Sequence, residues 1–420
     1  MEDRNLIQAY EHAKEVYGGL GVDVEKAMAL ADGMSISMHS WQGDDLIGFD
    51  GSQELSGGIA STGNYIGRAR TLPELLADLD EAMGMIPGRL KVSVHACQAD
   101  LGGKKIGRDA YTVQHFSGWI DWARERKIGL DFNPTFFSSP QMDGDFSLSS
   151  FDDNKRKFWI EHGKRCREIG EAFGKALGIR SLVNYWMPDG YKDIPADTAT
   201  RRELMVQSLD EIFSAPMDKT CVAEALESKL FGLGLESYTA ASHEFSLGYA
   251  ITRKKIYTMD AGHFHPTERI SAKFSAVLQY LDEILLHVSR GVRWDSDHVV
   301  IWDEELQSIM NEIIFNGYPD RVNIGLDFFD ASINRIACWV IGTRNTRKAL
   351  LSAALNPIHL AKDAERRGDY TARLAYLEEA KTLPFSAVWD YYCAQQGVPV
   401  GTEWIARMKQ YEKDVLSTRG

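Results

Sequence analysis

The hydrophobic pattern changes period early in the chain. In residues 4–31 the apolar positions Leu6, Tyr10, Ala13, Val16 and Tyr17 recur at helical spacing, which predicts one or two helices. Short apolar runs then appear at 36–41, 90–96, 128–135, 181–187, 221–228, 256–261, 283–289 and 321–328. Each has strand length, and amphipathic stretches separate them. One, 270–281, repeats Ile270, Phe274, Val277, Leu278 and Leu281 at helical spacing. Another opens on Thr71-Leu-Pro-Glu74, a capping box, and carries Leu72, Leu75, Leu76, Leu79 and Met83 on one side before Pro87-Gly88 stops it.

Eight strands alternating with helices predict a parallel sheet, and eight is the number that closes a (β/α)8 TIM barrel. A doubly wound open sheet is the alternative. Polar residues favour the barrel: His39, His95, Asn133, Asn184, Trp186, Glu227, Asp260, His287 and Asp327 stand at or near the C-terminal ends of their runs. A barrel assembles its site at that face from many strands. The Gly-rich stretch 48–67 has no period and reads as a long loop, a lid or contact arm; it lacks the Gly-Lys-Ser/Thr ending of a phosphate loop. Beyond Asn345 the strand pattern disappears. We therefore divide the chain into 1–345, a barrel with N-terminal helices and the site, and 346–420, a C-terminal helical extension expected to pack on the barrel or on a neighbouring subunit.

Composition narrows this further. A hydrophobic content of 44% in 420 residues supports a large core. No apolar run of about 18 residues predicts a membrane span, and Met1-Glu-Asp-Arg is unlike a secretory signal. Cys97, Cys166, Cys221, Cys338 and Cys393 show no CxxC pairing, which suits a reducing, cytoplasmic setting. The net charge of −13 argues against a nucleic-acid partner and suits a divalent cation.

Candidate chemistry gathers around 259–297. Asp295-Ser-Asp297 places two carboxylates on one side of an extended segment, and Trp294 beside them argues against a solvated loop. Asp260 and His263 lie three apart across Gly262, a spacing for two ligands on one tight turn; His265 competes. His287 follows Ile284-Leu285-Leu286, and Glu227 and Asp327 also close apolar runs. Any one of these alone is ordinarily a paired core residue or a solvated loop. Six acidic or imidazole groups at strand ends are hard to reconcile with that, because charges on buried strands are rare unless paired or metal-bound. The set reads as one metal centre or two. Lys229, two after Glu227, is a candidate donor to a substrate oxygen or a salt-bridge partner of a ligand. Trp41, Phe132, Phe136, Phe137, Tyr185 and Trp186 are candidates for an apolar pocket wall.

With these residues in view, the chain resembles the L-rhamnose isomerase family over almost its whole length. The matching segments are Ser37-Met-His-Ser-Trp-Gln-Gly-Asp-Asp45, Asp131-Phe-Asn-Pro134, Pro188-Asp-Gly190, Glu227-Ser-Lys-Leu-Phe-Gly232, Asp260-Ala-Gly-His-Phe-His-Pro-Thr267, Val292-Arg-Trp-Asp-Ser-Asp-His-Val-Val300 and Ile324-Gly-Leu-Asp-Phe-Phe-Asp-Ala-Ser-Ile-Asn334. The resemblance implies a structural metal on Glu227, Asp260, His287 and Asp327, and a catalytic metal on His263, Asp295 and Asp297, with Asp260 as a bridge. It implies L-rhamnose–L-rhamnulose interconversion by a 1,2-hydride shift on the open-chain sugar. Lys229, Asp327 and His95 would be catalytic, with Trp41, His95, Phe137, Trp186 and Lys229 around the substrate. Mn²⁺ is the implied cation, with Zn²⁺, Co²⁺ or Mg²⁺ as substitutes, and a homotetramer the implied assembly. Ser40 departs from a Cys of the family pattern and the stretch after His95 is less typical, which touches sugar preference rather than metal chemistry. Competing readings are an epimerase or isomerase of other aldoses on the same barrel, a metal-dependent DNA-repair nuclease, which the acidic balance disfavours, and a non-catalytic sugar-binding relative.

Overall fold

The computed structural model describes residues 4–41, 48–51, 65–229, 237–293 and 295–419. Eight strands lie where the apolar runs predict them: β1 (Ile36–His39), β2 (Leu90–His95), β3 (Gly129–Asn133), β4 (Ser181–Trp186), β5 (Val222–Glu227), β6 (Ile256–Asp260), β7 (Ile284–Val288) and β8 (Val322–Leu326). Each pairs in parallel with the next, and β8 closes onto β1. The barrel is closed, so no strand edge in it is left unpaired. Nearly every strand residue is buried, from the barrel interior on one side and the helical layer on the other.

Register sets the site. His95 stands beside Asn133, Trp186 beside Glu227, and Asp260 beside His287. The last residues of neighbouring strands therefore lie level at one rim, where their side chains converge.

The N-terminal stretch forms two helices, Arg4–Gly19 and Val24–Gly33. Thr71 caps Leu72–Met83, its hydroxyl accepting from the Glu74 amide, a contact of a kind that contributes about 1 kcal/mol. The other half of the predicted capping box does not form, because the Glu74 carboxylate accepts from the Arg70 amide instead. Residues 270–281 depart from expectation. Only a 3₁₀ turn, Ser271–Lys273, and a four-residue helix, Phe274–Val277, form there. Ile270, Phe274, Leu278 and Leu281 are nevertheless buried, so the apolar spacing marks the buried side without enforcing a long helix.

The helix Arg335–Ala354 runs across residue 345. After it come Ile358–Arg366, Tyr370–Glu379, Phe385–Gln395 and Glu403–Asp414. Most of the predicted 48–67 arm lies outside the described residues, as does Trp294. No helix among the described residues is long and apolar enough to cross a membrane.

Candidate metal centre

Glu227 at the end of β5, Asp260 at the end of β6, His287 on β7 and Asp327 just past β8 bring one ligand atom each within 4.8 Å of one another. His287 Nδ1 lies 3.2 Å from Glu227 Oε1, 3.2 Å from Asp327 Oδ2 and 3.7 Å from Asp260 Oδ2. His263 extends the cluster, with Nδ1 3.4 Å from Glu227 Oε1 and Nε2 3.4 Å from Asp295 Oδ2. Its Nδ1 also meets the Ser228 carbonyl at 2.8 Å. A carbonyl only accepts, so Nδ1 keeps its proton, and Nε2, on the side of Asp295, is the nitrogen that can lose its own and offer a lone pair to a cation.

Asp295 and Asp297 are both buried. The predicted extended segment is not what holds them: Asp297 has a left-handed backbone, φ +44°, as does Arg293 at φ +82°. The pair sits on a tight turn, where Ser289 Oγ donates to Asp297 at 3.1 Å. Gly262 permits the approach, since a Cβ there would stand 2.7 Å from Asp295 Oδ1 and 3.2 Å from Asp260 Oδ1. His265 is exposed and bonded to Thr267, away from the cluster.

The electrostatics are those of an acid-rich site. Burial first, then the neighbouring carboxylates, pushes Asp295 up to about 7 against the opposing charges of His263 and Lys229. Burial and its three acidic neighbours push Asp297 well above the carboxylate range, and burial raises Asp327 to about 6. Burial opposes a charged His263, yet Asp260, Asp295 and Glu227 together raise it to about 10; His287 is raised for the same reason. Asp260 moves the other way: the two histidines outweigh its burial and lower it.

Both carboxylate oxygens of Asp295, and Asp327 Oδ1, are buried with no hydrogen-bond partner. Buried polar atoms are almost always satisfied. Hard carboxylate oxygens left without hydrogen bonds, with imidazole nitrogens converging on them, fit a divalent cation.

A polar layer braces this cluster from the side of β2 to β6. Asn184 Nδ2 donates to Glu227 Oε2 at 2.5 Å and to Asn133 Oδ1 at 3.1 Å. Thr258 donates to Asn184 Oδ1 at 2.7 Å, and Asn133 donates to Ser93 at 3.1 Å. With its oxygen occupied, the Asn184 amide can only present its NH₂ to Glu227.

Beside the cluster, His95, Asn133, Phe137, Trp186 and Phe329 line one cavity together with Glu227, His263, Asp297 and Asp327. Of the six predicted wall aromatics, the structure brings three here. Trp41 stacks on Phe329 (centroids 5.2 Å, 16°) and meets His95 edge-on, while Phe137 and Trp186 meet edge-on at 5.4 Å. Phe132, Phe136 and Tyr185 belong to the main core instead: Phe132 packs on Phe116 and Phe173, Phe136 on Trp159, and Tyr185 donates to the Gly163 carbonyl. For Phe132 and Tyr185 the reason is the period of a strand, since neighbours along it point to opposite faces, while Phe136 lies past the end of β3. Lys229 is buried with Nζ 5.7 Å from the Trp186 ring centroid.

Sequence reasoning missed Phe329, which had a usable signal, standing two residues after Asp327.

The model of the L-rhamnose isomerase (RhaA) family matches residues 4–419. An L-rhamnose isomerase of Rhodopirellula baltica is 52% identical over 99% of this chain and 97% of its own length. One from Mannheimia succiniciproducens is 53% identical over 98% and 99%, and one from Escherichia coli 51% identical over 99% of both.

Proposed function

This chain belongs to the L-rhamnose isomerase family, and we propose that it interconverts L-rhamnose and L-rhamnulose by a 1,2-hydride shift on the open-chain sugar. The observation that carries the metal dependence is the group of buried oxygens on Asp295 and Asp327 without a hydrogen-bond partner, amid Glu227, Asp260, Asp297, His263 and His287.

Glu227, Asp260, His287 and Asp327 would hold one divalent cation, and His263, Asp295 and Asp297 a second, with Asp260 shared. Bound there, the cation supplies Lewis-acid polarisation of the sugar oxygens on C1 and C2. Mn²⁺ suits the oxygen and nitrogen donors; Zn²⁺, Co²⁺ and Mg²⁺ are the substitutes to test.

The protein's own groups divide the remaining work. His95 faces the cavity and takes the O1 proton of the ring-closed sugar. The O1 electrons form the C1=O1 bond, C1–O5 breaks, and O5 recovers a proton from the imidazolium. Lys229 stabilises negative charge on the carbonyl oxygen during transfer, its ammonium close enough to be felt by Asp295. Asp327 relays a proton between the sugar hydroxyls. Phe137, Trp186 and Trp41 shield the reacting carbons from water and offer the C6 methyl an apolar wall.

The five cysteines are free thiols, in keeping with a cytoplasmic enzyme. The helix Tyr370–Glu379 buries none of its residues and exposes Tyr370 and Leu374, which supports a subunit contact within 346–420; the homotetramer rests on the family resemblance. Light scattering on the purified protein tests that assembly.

The activity is tested on metal-stripped protein with L-rhamnose and a panel of other aldoses, with and without Mn²⁺. Metal-dependent L-rhamnulose formation is expected. Preference for another aldose would keep the chemistry and change the substrate, whereas no turnover of any aldose by metal-loaded protein would favour a binding role.

A further inference from the structure

Thr135 follows β3 in a left-handed conformation, φ +58°. A β-branched side chain is among the least tolerant of that backbone, so something must hold it there. Arg108 does so. Its guanidinium donates to the carbonyls of Thr135 at 2.7 Å, Phe137 at 2.6 Å and Ser138 at 3.3 Å, while its Nε is anchored on Asp50 at 2.9 Å. Glycine would adopt this turn without strain. What threonine adds is its hydroxyl, and that hydroxyl lies 2.9 Å from His95 Nδ1.

The hydroxyl has one proton to give. Besides the ring it has two acceptors within reach: the Asn133 carbonyl, 3.4 Å from Oγ1, and the Cys97 sulfur, to which the hydroxyl also bonds. With the proton spent on either, an Oγ1 lone pair faces His95 and Nδ1 is the protonated nitrogen. Its Nε2 makes no hydrogen bond among the described residues, and the ring lines the cavity. Burial first, then the Arg108 charge, holds the imidazole well below its ordinary pKa, so it stays neutral.

We propose that Thr135 is a positioning residue that locks His95 in the Nδ1–H tautomer and so presents a bare Nε2 to the sugar. This rests on the isomerase reading above, in which His95 acts as proton acceptor. With the opposite tautomer Nε2 would offer a proton and could not take one.

The test is ¹⁵N NMR of the full-length, histidine-labelled protein, with the His95 signals assigned by their loss in His95→Gln. Wild type is expected to show Nδ1 protonated and Nε2 bare. In Thr135→Val, which keeps the branched side chain and therefore the same backbone strain, the fixed tautomer is lost. Its kcat on L-rhamnose falls about tenfold to a hundredfold with little change in KM, and Thr135→Ser restores both. A wild-type His95 protonated on Nε2, or a Thr135→Val protein whose His95 tautomer and kcat are unchanged, would overturn the proposal. If Thr135→Val fails to fold, the wild-type spectrum still decides. The tautomer is read without turnover, so a wild-type enzyme inactive on L-rhamnose would sink the substrate reading separately.

Discussion

The two ends of the barrel both bury charge, and they treat it in opposite ways. Toward the N-terminal ends of the strands the acids Asp131, Glu224 and Glu283 each meet a base. Lys91 pairs with Asp131, which also accepts from the Leu182 amide at 2.7 Å. Glu224 takes both Arg167 and Lys255. Glu283 receives two bonds from Arg180, at 2.8 and 2.9 Å, and one from Asn323. At the C-terminal rim five carboxylates, Glu227, Asp260, Asp295, Asp297 and Asp327, face two imidazoles, and three of their oxygens have no hydrogen-bond partner. Completed pairs hold the barrel together. The incomplete set is built for something that is not a side chain. The difference separates a structural from a functional cluster better than the number of charges does, since both ends are rich in them.

That contrast is broken most severely at the rim. Asp295→Ala removes a ligand whose oxygens nothing else satisfies, and metal-dependent isomerisation is expected to fall at least about 10³-fold. In the presence of chelator its melting temperature should match or exceed wild type, because a costly buried carboxylate is gone. A marked loss of metal-free stability would mean that Asp295 is a structural residue after all. Glu224→Gln is the converse experiment. It strands Arg167 and Lys255 without their anion, which should cost about 3 kcal/mol of stability. Urea titration reads that loss, and metal affinity should not change. If affinity moves as well, the two ends are coupled and the contrast is weaker than drawn.

The rim's acids were legible in the sequence, and so was the barrel. Both follow from short-range patterns: apolar runs of strand length, each ending in a group too polar to be buried unpaired. The pairings themselves were not legible. Nothing near Asn184 announces that its amide will brace Glu227 while Thr258 fixes its orientation, because the three residues meet only when β4, β5 and β6 lie side by side. The left-handed turns at Thr135 and Asp297 were hidden for another reason. Neither residue type prefers φ > 0 strongly enough to be read without its neighbours, and the expectation of an extended Asp295–Asp297 segment failed on that point. The partition of the aromatic wall from the core needed the strand ends to within one residue, since a shift of one reverses the face.

Asn184 sharpens the contrast with a smaller effect, because it belongs to the polar layer that serves the rim without being part of it. Asn184→Leu removes the donor to Glu227 while filling the space. Metal affinity, measured by competition with a chelating dye, is expected to weaken roughly tenfold to a hundredfold, the range in which outer hydrogen bonds to ligands act. Stability in chelator should change far less. Should affinity stay within about twofold, on the same scale, the layer is scaffold rather than support for the ligand.

The smallest effect, and the one that sets the two ends against each other directly, is on stability as a function of pH. At the N-terminal end burial raises Glu283, but Arg180 outweighs it and leaves the carboxyl below its ordinary value. A depressed acid contributes stability above its unfolded pKa and loses it as pH falls through the folded one, so this end weakens in acid. At the rim of the metal-free protein the signs reverse. Asp295 rises from 3.8 to about 7 and His263 from 6.5 to about 10. A raised group contributes stability that is whole below its unfolded pKa and is lost as pH climbs through the folded value. With chelator present, stability should therefore decline as pH rises, between 3.8 and about 7 for Asp295 and between 6.5 and about 10 for His263, by at most about 1.4 kcal/mol per pH unit for each proton released. Added Mn²⁺ should stabilise more at the alkaline end than the acid end, because metal and protons compete for the same oxygens and nitrogens. Melting curves across pH, with chelator and with metal, read both limbs. An alkaline decline that Mn²⁺ does not reverse would place its origin outside the rim and leave the two ends electrostatically alike.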